Sequence, residues 1–358
     1  MKKEIDILEL FSGIGGFTKG FQEAGYTIKK HRFSEIDKHA IANYKYNFKN
    51  AESIGSVTDV SGSGLRADVI TFGSPCQDFS LAGKRAGMGG ARSSLITEAI
   101  RLISEIRPAV FIWENVKGTF SSNDGADFWA IIAAFANIGG YRLEWQLLNT
   151  SWFLPQNRER IYLVGHATGR SEPGVFPFGE SDGLYFEPNE NKEKVYENSL
   201  TLTAKGNNAN VGSFIKVKQI SDLLESGGKQ PYQQNRVYST DGDMTTLDSD
   251  PRKNILVKAV LTPGRQEKRQ NGRRLKEDGE PAFTLGCQDV HGVMIGDLIR
   301  RLTEIENERL QGFPDDWTKF GDYDGVIKEI PKTQRYKLCG NAVTVAVVRA
   351  IAERLKIF

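Results

Sequence analysis

The apolar run Ile5–Phe11 stops at the glycine turn Gly13-Ile14-Gly15-Gly16, and helical spacing follows at once with Phe17, Phe21 and Ala24. A short strand that ends in glycines and opens a helix constrains the fold strongly. Glycine lets the chain reverse tightly, and the helix start presents free N–H groups. The alternation continues: His31–Ser34 reads as the end of a second strand, Asp37–Phe48 as an amphipathic helix, Asp68–Phe72 as a buried strand and Ser94–Ile106 as a helix. Ala109–Trp113 reads as another buried strand and Asp127–Ile138 as a helix. Tyr141–Leu148 and Ile161–Gly165 are strands close enough in sequence to pair antiparallel at a sheet edge. This order predicts an α/β fold with a doubly wound, mostly parallel sheet.

After residue 170 the pattern changes. Residues 171–195 are rich in Gly, Pro, Glu and Asn, and from there to 297 short β-prone runs alternate with polar turns. A Thr-Leu step recurs in Ser199–Thr203, Asp243–Leu247 and Pro281–Leu285, either as three copies of one small β unit or as coincidence. The stretch reads as a separate β-rich module. Helical signals return at Thr303, a capping hydroxyl followed by Glu304 and Glu306, with an end near Gly312 before Pro314. A last helix is expected from about Asn341 to Ile357, packed on the α/β domain.

Composition removes several function classes. With 358 residues, 39% hydrophobic and 26% charged, the chain has the make-up of a folded protein of two domains, or of one domain with a large insertion. No apolar run approaches the ~20 residues that span a bilayer. The start Met1-Lys-Lys-Glu-Ile-Asp6 puts an acid where a signal sequence needs an apolar core, so a cytoplasmic protein is expected. Cys76, Cys287 and Cys339 form no Cys-x-x-Cys pair, and the four histidines have no ligand spacing, which argues against disulfides and metal. Net charge is only +2, yet residues 252–276 hold nine Lys or Arg against one Glu. Such a stretch suits a phosphate backbone, or equally a solvated loop.

Five segments carry candidate chemistry. The Gly13–Gly16 turn fits NAD, a nucleotide, S-adenosylmethionine or no ligand at all. Glu35 follows by about 20 residues, where an acid binds ribose hydroxyls, and this narrows the ligand to an adenosine. In Gly73-Ser-Pro-Cys-Gln-Asp-Phe-Ser80, Cys76 lies past the carboxyl end of the strand Val69–Phe72. A thiolate there is a strong nucleophile once its pKa falls below ~8.5, whereas a lone cysteine is more often a buried structural one. Glu114-Asn-Val116, after the strand Ala109–Trp113, offers an acid for proton donation or for a base edge. In Gln156-Asn-Arg-Glu-Arg160, Arg158 and Arg160 lie two apart and face one side, as functional groups or as ordinary ion pairs.

As an ordered set these residues resemble the DNA (cytosine-5) methyltransferases. The matching segments are Phe11–Gly16, Pro75–Gln77, Glu114–Val116, Gln156–Arg160, Arg301–Pro314 and Gly340–Val343, in the family's order. The resemblance implies a Rossmann-like fold dependent on S-adenosylmethionine. Residues 1–170 are the catalytic and cofactor-binding domain, completed by a C-terminal helix at 331–358. Residues 171–298 are a smaller β-rich target-recognition domain, and 299–330 a hinge segment. Cys76 adds at C6 of a flipped-out cytosine, and C5 takes the methyl group, giving 5-methylcytosine and S-adenosylhomocysteine. Glu114 holds N3 and the exocyclic amine, Arg160 holds O2, and Arg158 supports the loop. Gln77 and Ser80 contact the DNA. Phe11, Gly13, Gly15 and Gly16 line the cofactor, Glu35 its ribose and Ile36 its adenine (many members have Trp there), with Pro75, Leu95 and Asn341 completing the pocket. One position departs: Ser56, in Gly55-Ser-Val-Thr-Asp59, stands where the family has an acid on the adenine amine.

Arg273, Arg274 and Arg300 are expected on the DNA, with Gln233, Gln234, Arg236 and Arg252 among the candidate groove readers. The expected partner is double-stranded DNA. A cognate restriction endonuclease is related by function rather than by contact, and the protein is a monomer with no metal and no membrane. Other readings remain. Related tRNA-methylating enzymes share the motifs, though the long basic-rich stretch between Gly165 and Arg300 favours DNA. A non-catalytic DNA-binding relative would lack Cys76 or Glu114. A nicotinamide enzyme leaves Pro75–Gln77 and Gln156–Arg160 unexplained.

Overall fold

The alternating first half folds into one sheet of seven strands. The structure is a computed structural model describing residues 3–74, 95–178, 218–219, 238–239, 257–261, 263, 273, 275–277, 280–286, 290–295 and 298–358. In chain order come β1 (Glu4–Leu10), α1 (Gly16–Glu23), β2 (Thr27–Ser34), α2 (Lys38–Asn47), β3 (Ala51–Ser53) and β4 (Val69–Gly73). Then follow α3 (Leu95–Ile106), β5 (Val110–Val116), α4 (Ala126–Ala136), β6 (Tyr141–Asn149) and β7 (Glu159–Ala167). The strands lie in the order β3-β2-β1-β4-β5-β7-β6. The first five are parallel, and β7 is antiparallel to both β5 and β6. The expected antiparallel edge pair is therefore present.

Strand order reverses between β1 and β4, which makes the crevice beyond their carboxyl ends the natural ligand position. Period-two alternation sends Ile5 and Ile7 of β1 to one face with Phe17, Phe21 and Val348, and Leu8 and Leu10 to the other with Leu102, Ile103 and Phe135. Both faces are buried, so the inner strands read as nearly continuous apolar runs.

β5 runs further than expected. Glu114 and Asn115 lie inside it, because Glu114, Asn115 and Val116 continue to pair with Tyr162, Ile161 and Arg160 of β7. β7 likewise starts two residues early, at Glu159.

The central region contributes β8 (Ser171–Glu172), β9 (Lys218–Gln219) paired with β10 (Tyr238–Ser239), and an antiparallel sheet of β11 (Val257–Leu261), β12 (His291–Ile295) and β13 (Leu298–Arg301). Of the three Thr-Leu repeats, Ser199–Thr203 and Asp243–Leu247 lie outside the described residues. In the third, Ala282 pairs with Gln156 beside β7 rather than within a repeat unit.

α5 (Glu304–Leu310) starts as expected: Thr303 and Glu306 form a reciprocal capping box. The hairpin β14 (Phe320–Tyr323) and β15 (Val326–Glu329) follows. The expected single last helix is instead two, α6 (Lys332–Asn341) and α7 (Val345–Arg354), followed by β16 (Lys356–Ile357) paired with β8. The break falls at Ala342, whose backbone is extended (φ −73°, ψ 153°). Just beyond it the Thr344 hydroxyl bonds Gln311 (3.1 Å) and Thr150 (3.0 Å), which ties the chain down outside either helix.

Candidate active site at the carboxyl ends of the strands

The turn after β1 and the loop after β2 are joined by one carboxylate. Glu35 Oε2 accepts the Gly13 N–H (2.8 Å), while Oε1 accepts those of Ile36 (2.8 Å) and Asp37 (2.9 Å). Gly13 has φ 53°, in the left-handed region, and a Cβ added there would meet nothing within 4 Å. Gly15 and Gly16 are packed instead: added Cβ atoms would lie 2.3 Å from Phe48 and 2.6 Å from Val343. Ile36 is 78% exposed beside this turn. An open glycine edge, a carboxylate with acceptor capacity left over and an uncovered aliphatic face fit the ribose and adenine of an adenosine cofactor.

The other pocket candidates differ in exposure. Phe11 is half-buried with φ 50°, Leu95 is half-buried at the start of α3, and Asn341 is exposed at the end of α6. Ser56 Oγ lies 2.8 Å from Thr58 Oγ1, which donates to Asp59 Oδ1 at 3.1 Å. The acid displaced by three residues is thus folded back towards the serine that stands in its expected place. Asp37 caps α2 through the N–H groups of His39 and Ala40 and accepts from Lys337 Nζ at 2.7 Å. Lys337 was invisible to the sequence reading, because nothing local links positions 300 residues apart.

The second half of the site lies on β4, β5 and β7. Glu114 pairs with Gly73 of β4 and with Tyr162 of β7. Its Oε1 is 3.0 Å from Arg160 Nε, and its Oε2 would sit 3.0 Å from a Cβ on Gly73. Glu114 itself is only 8% exposed. Its neighbours Trp113 and Asn115 both hold Ser74: Trp113 Nε1 donates to Ser74 Oγ at 3.1 Å, and Asn115 Nδ2 donates to Ser74 O and Oγ, each at 3.1 Å. Ser74 is the residue from which the chain departs toward Cys76. Sequence reasoning passed over Ser74 and took Asn115 only as a neighbour of Glu114; their signal was adjacency to the candidate acid and nucleophile.

Arg158 and Arg160 do not share a role. Arg158 is buried, and its guanidinium donates to the carbonyls of Leu285 (3.0 Å), Gly340 (3.3 Å) and Ala342 (2.9 Å). Arg160 alone faces Glu114. Pro75, Cys76, Gln77, Ser80 and Arg274 lie outside the described residues. Arg273 is paired with Glu280 at 2.7 Å and Arg300 with Glu306 at 2.5 Å. A phosphate would have to exchange with those carboxylates. Cys339 is fully buried and its thiol is pushed well up by that burial, so it is a poor candidate nucleophile. Among the described residues no group of His, Cys, Asp and Glu could hold a metal, and no helix is long and apolar enough to cross a membrane.

Comparison with known proteins places the chain in a family. The orphan methyltransferase M.SPRI of Bacillus phage SPR is 30% identical over 441 residues, covering 98% of this chain and 97% of the relative. The type II methyltransferase M.Bsp6I of Bacillus sp. (strain RFL6) is 30% identical over 359 residues, covering 98% of each. The crystal structure of S. pombe Dnmt2 methyltransferase shares the fold, with a TM-score of 0.58 at 18% identity over 98% of this chain and 97% of that one. The family model for C-5 cytosine-specific DNA methylases matches residues 5–357. These matches establish that the chain belongs to the C-5 cytosine-specific DNA methylase family and is a DNA cytosine-5 methyltransferase.

Proposed function

We propose that the protein methylates a flipped-out cytosine within a specific duplex sequence, through a covalent bond between Cys76 Sγ and cytosine C6. The observation that carries this reading is the Glu114–Arg160 pair, 3.0 Å apart, beside the clamped Ser74 that precedes Cys76 by two residues. Glu114 holds N3 and the exocyclic amine, and Arg160 holds O2. Together they stabilise charge as the thiolate adds. C5 then becomes nucleophilic, and loss of its proton with expulsion of Cys76 completes the exchange. Arg158 fixes the arm that bears Arg160.

S-adenosylmethionine, when bound, supplies the electrophilic methyl group. Glu35 binds its ribose and Ile36 lies on its adenine, while Phe11, Gly13 and Asn341 line the rest and Ser56 with Asp59 lies near the adenine edge. Residues 171–298 read the target, with Gln77, Ser80, Arg273, Arg274 and Arg300 directed to DNA. No metal enters this chemistry.

The test is a duplex carrying 5-fluorocytosine at a cytosine the enzyme methylates, found first by sequencing methylated positions in exposed DNA. Fluorine cannot leave as a proton does, so Cys76 should be trapped. A mass spectrum lacking an adduct on the peptide containing Cys76, or turnover by Cys76→Ala, would overturn the covalent route.

A further inference from the structure

Helix α4 is apolar on both sides. Phe128, Ile131 and Phe135 are buried in the core beneath it. Ala126, Trp129, Ala130, Ala133 and Ala136 are exposed, and their spacing draws one stripe along the opposite side. The only charged residue of α4, Asp127, is buried, and Ser122 Oγ donates to its carboxylate at 2.5 Å. A surface helix ordinarily turns a polar face to water, and one that is apolar all round is ordinarily covered. Trp129 keeps 61% exposure. It meets the half-exposed Trp145 of the edge strand β6 edge-to-face, with ring centroids 6.3 Å apart.

The two ends of the stripe carry opposite charge. Asp124 is exposed just before α4. Past the other end Arg107 is exposed, and its guanidinium donates to the carbonyls of Ile138 (3.0 Å) and Gly139 (2.8 Å).

We infer that this stripe is the contact face between two copies of the chain, related by a two-fold axis that runs their α4 helices antiparallel. The dimer replaces the monomer expected from the sequence, and it does not depend on the Cys76 chemistry. Self-complementarity carries the argument. An axis crossing α4 near Ile131 sets Trp129 over Ala133 of the second copy, so the one bulky residue of the stripe falls on a small one. The same axis brings Asp124 to the end where Arg107 of the second copy stands, and it does so twice. It also opposes the two helix dipoles. A duplex would find no cation along the stripe, whereas a second copy matches both the uncharged length and the charged ends. The helix has 11 residues and is about 16 Å long. Such a contact is small among specific interfaces, below about 1,200 Å² in total, and suits a transient dimer with a dissociation constant on the order of 10 μM.

The test is sedimentation velocity of the full chain without DNA, from about 1 to about 100 μM. Wild type should move from monomer toward dimer mass across that range. Trp129→Glu and Ala133→Glu each place a carboxylate in the stripe, and both should stay monomeric. Both positions are exposed, so both variants should keep the wild-type melting temperature and the wild-type rate of methyl transfer at nanomolar enzyme. Asp124→Lys should weaken the dimer by about 3- to 10-fold, and about 0.5 M salt should remove that difference. A wild type that stays monomeric to the top of the range would overturn the inference. So would dimers of Trp129→Glu and Ala133→Glu as tight as the wild-type dimer. Weaker DNA binding by both variants, with wild type monomeric, would give the face to DNA instead and overturn it as well.

Discussion

Arg160 Nε stands 3.0 Å from Glu114 Oε1 across the antiparallel pairing of β5 and β7, and the two side chains retain only 16% and 11% exposure. Glu114→Gln keeps the shape and keeps an oxygen beside Arg160, but it carries no charge and no transferable proton. The turnover rate should fall by about 10²–10⁴ with little change in DNA affinity. Arg160→Ala should do more, because it leaves a nearly buried carboxylate without its cation. It should melt below both wild type and Glu114→Gln by calorimetry; equal melting points for the two variants would contradict the pairing.

Gly13 and Gly16 of the first turn should fail differently. A Cβ on Gly16 meets Val343 Cγ2 at 2.6 Å and Val343 O at 2.8 Å, an overpacking that costs about 1–3 kcal/mol, so Gly16→Ala should lower the melting temperature. A Cβ on Gly13 meets nothing, yet φ 53° is unfavourable for alanine by roughly 1 kcal/mol. Gly13→Ala should therefore fold, and should weaken S-adenosylmethionine in isothermal titration because the new methyl occupies the open edge. Similar melting temperatures but unequal cofactor affinities would support this assignment only in part: the Gly16 contact would then be soft.

Ile36 is large, apolar and 78% exposed next to Glu35, which bonds the glycine turn. Covering it with an adenine ring recovers apolar area at roughly 25 cal/mol per Å². Ile36→Ala should raise the cofactor dissociation constant by about 3- to 10-fold, and Ile36→Trp should lower it through the larger stacking face. No change in either variant would place the adenine elsewhere.

Much of this site was legible before the fold, for identifiable reasons. β1 and β4 were readable because burial on both faces leaves continuous apolar runs, and Glu114 and Arg160 because they stand in short segments that match the family in order. The rest needed three dimensions. The ends of β5 and β7 were misjudged because Glu114, Asn115 and Glu159 are polar, yet pairing with neighbouring strands carries the ladder through them. α6 was missed because Lys332–Asn341 is mostly polar and offers no apolar stripe. Arg158 looked like a partner of Arg160. Its actual acceptors are backbone carbonyls at 285, 340 and 342, which no spacing rule encodes.

Beneath the glycine turn, two buried titratable groups oppose one another. Glu9 Oε2 accepts from the Thr18 N–H (3.2 Å), Thr18 Oγ1 (2.6 Å) and Tyr44 OH (2.9 Å), and His31 Nε2 lies 2.7 Å from the same Tyr44 hydroxyl. Burial pushes Glu9 from its ordinary 4.5 up to about 7, and pushes His31 from 6.5 down to about 4. The stability that Glu9 contributes is whole below pH 4.5 and is lost as pH rises through about 7. That of His31 is whole above pH 6.5 and is lost as pH falls toward 4. Each is worth on the order of 3 kcal/mol. Between pH 4.5 and 6.5 the two slopes have opposite sign and largely cancel. Removing one should expose the other. In urea titrations from pH 5 to 7.5, Glu9→Gln should gain stability relative to wild type as pH rises through the Glu9 window. His31→Gln should lose stability relative to wild type as pH rises from 5 to 6.5. Because Thr18 lies in the first turn of α1, cofactor affinity should follow the Glu9→Gln profile. Parallel pH profiles for wild type and both variants would show that burial does not set these two protonation states.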